Sequence, residues 1–545
     1  MRVAINGALR APIDAVTFRQ SRYYLRSNVA VEPLIDRWYA WSHLIAPATA
    51  ARNLTHRHLP IMDSYAELPQ AHVAASANPK MLGGPFVNFK VDRSEEIASL
   101  AAATRTKRTT LIELSATIDK LDMLLRDHAD GHSLETLYCA IPEPLRGYVE
   151  LFYDRDHHAS FRFIEPLMYR SPCYQPDAQS LMLRRIDSDD RPFIFSTPRL
   201  DSDDSLHWTV PFAEERVDAL FRLHSKPASL ASVVDLVGDN EAAMLATFLT
   251  EEEPGHSDKY DRPGFRWRYF GHATVLIEAR GCTIMTDPVV AYPFAGMSTR
   301  FTFDDLPEWI DFVLITHGHQ DHLLLETLLQ LRERIGTIVV APNNGGTLED
   351  PSLALMLRAC GFPRVRELAE CDQIDFAGGS ITAIPFLGEH CDLNIRSKNA
   401  YLVRIGQHCL MFAADSRNLD PIVYDHVRQL IGRVHTLFVG MECDGAPLSW
   451  IYGPLLTAKP AQSINQSRRA AGSDFRGAIA MLESLGCSEV YVYAMGQEPW
   501  LQFISSIRYT DDSSPIVQSN LLLAAARERG FKAERLLGCK EVMLP

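Results

Sequence analysis

The chain has no CxxC pair, no long apolar run and no excess of positive charge, and each absence removes a class of protein. Its ten cysteines (139, 173, 282, 360, 371, 391, 409, 443, 487 and 539) are scattered. That excludes a zinc knuckle or a disulfide frame and fits reduced, mostly buried thiols. No stretch of about 18 consecutive apolar residues occurs, so no membrane span is expected. The opening residues, Met1 to Val16, hold no signal-peptide core of adequate length. Basic residues number 54 against 68 acidic ones, for a formal charge of −14, which argues against nucleic acid or an anionic membrane as partner. No internal sequence repeat stands out. What remains is a cytoplasmic globular chain of 545 residues, 46% hydrophobic and 22% charged, too long for one ordinary domain.

Residues 1 to about 245 carry no chemical motif. One long amphipathic helix is expected from Ser94 to His128, with Ser94 as N-cap and Glu95 and Glu96 in its first turn. Leu111, Leu114, Ile118, Leu121 and Leu125 form a stripe on it that reads as core. His157-His158 and the acidic run Asp201, Asp203, Asp204 read as solvated surface. A second helical region runs from Pro211 to Leu249. The breaker-rich segment Glu251 to Asp258 follows and is the best boundary. The expected organisation is an α/β domain over 1–250, a linker over 251–264 and a second domain over 265–545.

Beyond the linker, short β-like runs (Phe265 to Tyr269, Thr274 to Glu278, Thr283 to Thr286) give way to strands alternating with helices. That order fits two sheets sandwiched between helices. The apolar run Phe312 to Ile315 leads into Thr316-His317-Gly318-His319-Gln320-Asp321-His322. Three imidazoles and a carboxylate in six positions at the end of a buried strand read as a metal site. His317, His319 and Asp321 cannot share one helix face, so a tight loop is expected. Gly318 gives it backbone freedom, and His322 opens a helix that Leu323 to Leu325 continue. Three more strand ends carry donors: Asp287, the pair Glu389-His390, and Asp415. Carboxylates at such positions are costly to bury unless paired or metal-bound.

On these residues (His317-x-His319-x-Asp321-His322, Thr286-Asp287-Pro288 and Asp415) the chain resembles the metallo-β-lactamase superfamily over roughly residues 265 to 500. The resemblance implies an αββα sandwich behind a separate mixed α/β N-terminal domain. It also implies one metal on His317 and His319, a second on Asp321 and His322, a bridge at Asp415, and Asp287 holding a ligand histidine. Hydrolases of that superfamily add a histidine to each metal, and here the pattern departs. The first position reads Gly388-Glu389-His390-Cys391-Asp392, and the late strand Val490 to Ala494 ends in Met495-Gly496-Gln497-Glu498, without histidine. Fewer nitrogens and more oxygens suit iron or manganese better than zinc.

The departures look like the non-heme diiron oxygenases built on this fold, such as the β-hydroxylases of chloramphenicol biosynthesis. In that family a carboxylate ligand falls between the first motif histidine and the bridging aspartate. Glu389 matches it here, 72 residues after His317 and 26 before Asp415, with His390 as the alternative ligand. The resemblance implies two iron ions, O2 and an external electron donor, with Glu389, Asp321 and Asp415 central to catalysis and no side-chain general base. Its substrate would be an aminoacyl group on a nonribosomal peptide synthetase carrier domain. The N-terminal domain would serve homodimerisation and docking. An acidic protein meeting an acidic carrier needs a basic patch, for which Arg105, Lys107 and Arg108 are candidates against the plainer reading of a solvated helix face. The rival reading is a di-zinc or manganese hydrolase of a phosphodiester, lactone or thioester, in which Asp321 assists proton transfer. A non-catalytic scaffold conflicts with the whole ligand set being present.

Overall fold

Apolar residues stand side by side in Val275-Leu276-Ile277, Val313-Leu314 and Leu410-Met411-Phe412, so these strands need cover on both faces. The computed structural model describes residues 21–78, 81, 83–238, 242–296 and 299–545; the stretch from Met1 to Val16 lies outside the described residues. Cover comes from stacking two seven-stranded sheets between helices.

The first half contributes an antiparallel sheet of β1 (Val29–Ile35), β2 (Trp38–Tyr39), β3 (Gln179–Arg185) and β4 (Ser205–Thr209) in the order β2-β1-β3-β4. In the second half, β5 (Phe265–Gly271), β6 (Thr274–Ala279) and β7 (Cys282–Thr286) meander antiparallel. They then run parallel into β8 (Ile310–Leu314), β9 (Ile335–Val340) and β10 (Val365–Glu367). The last strand of the chain, Lys540–Leu544, pairs with β5 and completes this sheet. The other sheet repeats the plan. β11 (Gln373–Phe376), β12 (Gly379–Ile384), β13 (Ala400–Ile405) and β14 (His408–Phe412) are antiparallel, and β14 runs parallel to β15 (Thr436–Gly440), followed by β16 (Glu489–Tyr493) and β17 (Lys532–Arg535). This is the expected αββα sandwich.

Side chains alternating off both sheets fill the space between them. Trp267, Tyr491 and Phe438 lie edge to face and stacked at ring separations of 4.9 and 5.2 Å. The outer face of the second sheet is covered by the helices Ile422–Ile431, Phe475–Leu485 and Ser514–Glu528. The outer face of the first sheet joins a core that continues into the N-terminal half, where Val29, Leu183 and Trp208 share one cluster with Val313 and Leu328.

Several expectations need correction. The helix from Ser94 to His128 is two, Ser94–Lys107 and Thr109–His128, broken at Arg108. Arg108 is buried and bonds Asp36 at 2.9 Å and Asp177 at 2.6 Å. Those two distant carboxylates hold the guanidinium inward, where a straight helix would carry it past them. The first helix is capped by the Asp92 carboxylate, which accepts from Ser94 N at 2.9 Å; Ser94 itself does not cap it. The stripe from Leu111 to Leu125 is core as expected. Of Arg105, Lys107 and Arg108, the first two are exposed, as a solvated helix face expects, with Arg105 paired to Asp63 at 2.6 Å, whereas Arg108 is buried and fits neither reading. The C-terminal helix runs Ser514–Glu528. All ten cysteines are free and six are buried, in line with reduced thiols. Among the described residues no helix is long and apolar enough to cross a membrane.

Two histidines of the N-terminal half carry a pH prediction. Burial and the Arg57 guanidinium hold His58 well below the usual histidine range, and burial with Arg334 holds His224 at about 4. Above pH 6.5 both residues are neutral whether the chain is folded or not. Below it the unfolded chain takes up protons that the fold refuses, so stability falls until the folded groups themselves titrate, His224 at about 4. Each histidine takes away about 1.4 kcal/mol per pH unit across that window. The thermal midpoint is expected to hold above pH 6.5 and to drop from there toward pH 4; the H224Q variant should drop less steeply, as scanning calorimetry across the range will read.

Candidate metal centre

Five strand ends converge at one edge of the sandwich, and all but one turn there through a left-handed residue. Asp287 (φ 34°) follows β7, Glu389 (φ 65°) lies beyond β12, Ala414 (φ 45°) precedes Asp415 after β14, and His272 (φ 50°) stands between β5 and β6. Non-glycine residues in that region cost roughly 1–3 kcal/mol each and cluster at functional sites. The exception is the loop after β8, which carries His317, His319, Asp321 and His322. Its helix, Leu325–Leu331, begins at Leu325, so His322 belongs to the loop and does not open the helix. Gly318 is not left-handed. A Cβ there would come within 3.0 Å of Leu353 Cδ2, and its carbonyl accepts from Ser42 Oγ at 3.1 Å, so glycine is needed for close approach.

The imidazoles share one wiring. His322 Nδ1–H donates to Asp287 Oδ2 at 2.8 Å, leaving Nε2 facing Asp415 Oδ2 at 2.9 Å. Thr316 Oγ1 donates to Asp287 at 2.6 Å and so accepts from His317 Nδ1–H at 3.0 Å, leaving His317 Nε2 at 3.7 Å from Asp415 Oδ2. His319 meets Tyr452 Oη through Nε2 at 2.9 Å and turns Nδ1 toward Glu389 Oε1 at 3.3 Å. His317 and His322 use their outer nitrogens as donors and keep the inner lone pairs for the centre, which is how metal-bound histidines are held, and a donor Nε2–H on His319 toward Tyr452 Oη would give that ring the same arrangement. Ligand atoms of His317, His322 and Asp415 lie within 4.8 Å of one another, as do those of His317, His319 and His390, and of His272, Asp321 and His322.

The electrostatics fit a cation. Burial, then Asp415 and Asp321, push the Glu389 carboxyl well above the usual range. Burial holds His319 down at about 4 and His317 and His390 well below their ordinary values. For His322 burial is outweighed by Asp415, Asp287 and Asp321, and its pKa rises. Asp415 Oδ1 is buried without a hydrogen-bond partner among the described residues. A Glu389 carboxyl that resists ionising beside three imidazoles, His317, His319 and His390, that resist protonation is what a site looks like when the missing charge is metallic. Three carboxylates with imidazole nitrogens suit iron.

All the residues singled out in the sequence meet here: His317, His319, Asp321, His322, Glu389, His390, Asp415 and, behind them, Asp287. His157-His158 and Asp201 do not; His158 pairs with Asp154 and Asp201 with Arg37 on the surface. Two residues were missed. His272 lies 3.3 Å from Asp321 Oδ2, and its only sequence sign was a bulky polar residue between Gly271 and Ala273 at a strand turn. Tyr452, on the short helix Leu448–Tyr452, gave no sign. A cavity of about 540 Å³ opens over the centre, walled by Trp41, Phe86 and Phe195 from the first half and Trp450 and Ile451 from the second.

Comparison with known proteins agrees. Residues 24–254 match the diiron non-heme beta-hydroxylase N-terminal domain, and residues 283–491 match the beta-lactamase superfamily domain. The chain is 40% identical to the 4-amino-L-phenylalanyl–CmlP peptidyl-carrier-protein 3-hydroxylase of Streptomyces venezuelae over 528 residues, covering 94% of this chain and 98% of that one. The crystal structure of CmlA, a diiron beta-hydroxylase from the same organism, superposes with a TM-score of 0.90 at 38% identity, covering 96% of this chain and all of that one. A point mutant of CmlA gives 0.88 at 38% identity over 96% of this chain and all of the mutant's.

Proposed function

This chain belongs to the diiron non-heme β-hydroxylase family, and from that membership we propose that it hydroxylates the β-carbon of an aminoacyl group carried as a thioester on a nonribosomal peptide synthetase carrier domain. It is a hydroxylase on a metallo-β-lactamase fold that works with two irons. In this reading it acts in the cytoplasm, in secondary-metabolite biosynthesis, on O2 and an external electron donor. The residues before 251 form a unit that docks the carrier and pairs two copies of the chain. The hydrolase reading gives way to the family assignment.

The observation that carries the proposal is the shared wiring of His317, His319 and His322 around three carboxylates. One iron would be held by His317, His319 and Glu389, the other by Asp321 and His322, with Asp415 between them. The chemistry supplied by the bound irons is reduction of O2 with two electrons and two protons, one oxygen atom entering the β C–H bond and the other leaving as water. The chain's own part is placement. Asp287 and Thr316 fix two imidazoles, and Tyr452 fixes a third. Glu389, whose side chain meets His319 and, among the described residues, takes no backbone N–H, could reorient and change how many of its oxygens it offers, which an imidazole cannot do. The aromatic walls of Trp41, Phe86, Phe195 and Trp450 fit an aromatic aminoacyl side chain and exclude water from the C–H bond. Glu442 lines the same cavity and offers a carboxylate to the α-ammonium.

Protein purified without added metal should carry two irons and visible ferric absorption, and after reduction should convert an aromatic aminoacyl carrier to a product one oxygen atom heavier. Two zincs and no colour would turn the reading toward hydrolysis. His390 is the rival of Glu389, but among the described residues its Nδ1 reaches only the Gly388 carbonyl, at 3.5 Å, the outer limit of a hydrogen bond. It lacks the held outer nitrogen that the other three rings share. Glu389→Ala is expected to lose iron and at least about 100-fold in activity, more than residues behind the ligands contribute, while His390→Ala keeps both irons. The reverse pattern in metal analysis would reassign the ligand.

A further inference from the structure

His272 reaches the same centre as the three wired histidines, with its ring connected the opposite way. Its outer nitrogen, Nδ1, is an acceptor, because Gly496 N–H points at it from 3.2 Å. The neutral ring therefore carries its proton on the inner nitrogen, Nε2, which faces Asp321 Oδ2 at 3.3 Å and His322 Nε2 at 3.3 Å. The residue is 1% exposed, and its carbonyl accepts from Ala494 N at 2.9 Å. Both contacts come from the segment that follows β16.

Proximity alone groups His272 with Asp321 and His322 as three ligands. The Gly496 N–H decides otherwise. For Nε2 to coordinate a metal its proton would have to move to Nδ1, setting two N–H donors against each other in a dry pocket. We propose that His272 is a positioning residue and not a metal ligand: its Nε2–H holds one oxygen of Asp321, fixing which oxygen that carboxylate turns to the second iron. The proposal rests on Asp321 as a ligand in the reading above. In that reading the second iron would be held by Asp321, His322 and Asp415, without His272. The β16 end thereby serves the centre through a backbone N–H, at the place where the sequence lacks a histidine.

The test compares H272A and H272Q with the wild type in iron per chain, the visible spectrum of the oxidised protein, and hydroxylated product formed per O2 consumed. Glutamine keeps an N–H where Nε2 stood. H272A is expected to retain two irons but to show shifted ferric bands, a kcat about 10–100-fold lower at unchanged KM, and less product per O2; H272Q should restore spectrum and coupling. One iron per chain in either variant would make His272 a ligand and overturn the proposal, as would an H272A protein with wild-type spectrum and coupling. Should H272A not fold, H272Q decides: two irons and a wild-type spectrum support the donor role, and one iron refutes it. A wild type that binds zinc in place of iron would defeat the functional reading instead, and is seen before any variant is made.

Discussion

Asp415→Ala is expected to hold fewer than two irons per chain and to lose hydroxylation by more than about 100-fold, beyond the range typical of residues that only support ligands. Oδ2 of Asp415 lies 2.9 Å from His322 Nε2 and 3.7 Å from His317 Nε2, so one carboxylate serves both halves of the centre. Its other oxygen, Oδ1, is buried and has no hydrogen-bond partner among the described residues, an expensive arrangement unless a cation completes it. The fold makes room for it, since a Cβ on Gly440 would sit 2.6 Å from that Oδ1. Removing the carboxylate would take away the proposed bridge and leave the inner nitrogens of His317 and His322 without the oxygen they now face. Metal analysis on Asp415→Ala settles the point; two irons retained would mean that Asp415 does not bridge.

Glu326→Ala should destabilise the folded protein by about 3–5 kcal/mol, the penalty for stranding one partner of a buried ion pair. Glu326 is 2% exposed on the helix Leu325–Leu331, directly after the metal loop. It accepts from Arg191 at 2.7 Å, from Tyr292 at 2.7 Å and from Tyr39. Arg191 also reaches Glu32 at 2.6 Å, which takes Arg199 at 2.7 Å, and its guanidinium lies 3.8 Å over the Phe503 ring. Tyr39, Glu32, Arg191 and Arg199 come from the first half of the chain and Glu326 from the second. The loss should appear as a lower urea midpoint. The double variant Arg191→Met with Glu326→Leu should lose less than the sum of its single changes, because no lone charge is left between the halves. Strict additivity would mean the pair is uncoupled.

The centre was legible in the sequence because its chemistry demands unusual residues close together. Three histidines and an aspartate in six positions after an apolar strand have no plain structural excuse, and Asp287, Glu389 and Asp415 each end a run that has to be buried. The strand order followed from the same runs. What the sequence did not disclose depends on partners far away in the chain. Arg108 is an ordinary helix residue until Asp36 and Asp177 draw it inward, and nothing local announces the break. The strands Lys532–Arg535 and Lys540–Leu544 are too charged to look like sheet, and pairing with β16 and β5 makes them so. His272 and Tyr452 act through the identity of one nitrogen or one hydroxyl facing a ligand, which spacing cannot encode. Glu389 and His390 are adjacent donors, and spacing alone leaves either as the proposed ligand.

The apolar cluster that unites Val29, Leu183 and Trp208 with Val313 and Leu328 bears on attempts to retarget this enzyme. Chimeras that exchange the first 250 residues between relatives, as a detachable cassette for choosing a new carrier, would cut through that cluster and through the charges around Arg191. They would also replace Trp41, Phe86 and Phe195, three walls of the reaction cavity. Such hybrids are set up to fail in expression before their selectivity can be assayed. Retargeting is better attempted by changing single residues on the outer surface of the first half, leaving its inner face as the mould in which the iron-bearing half is cast.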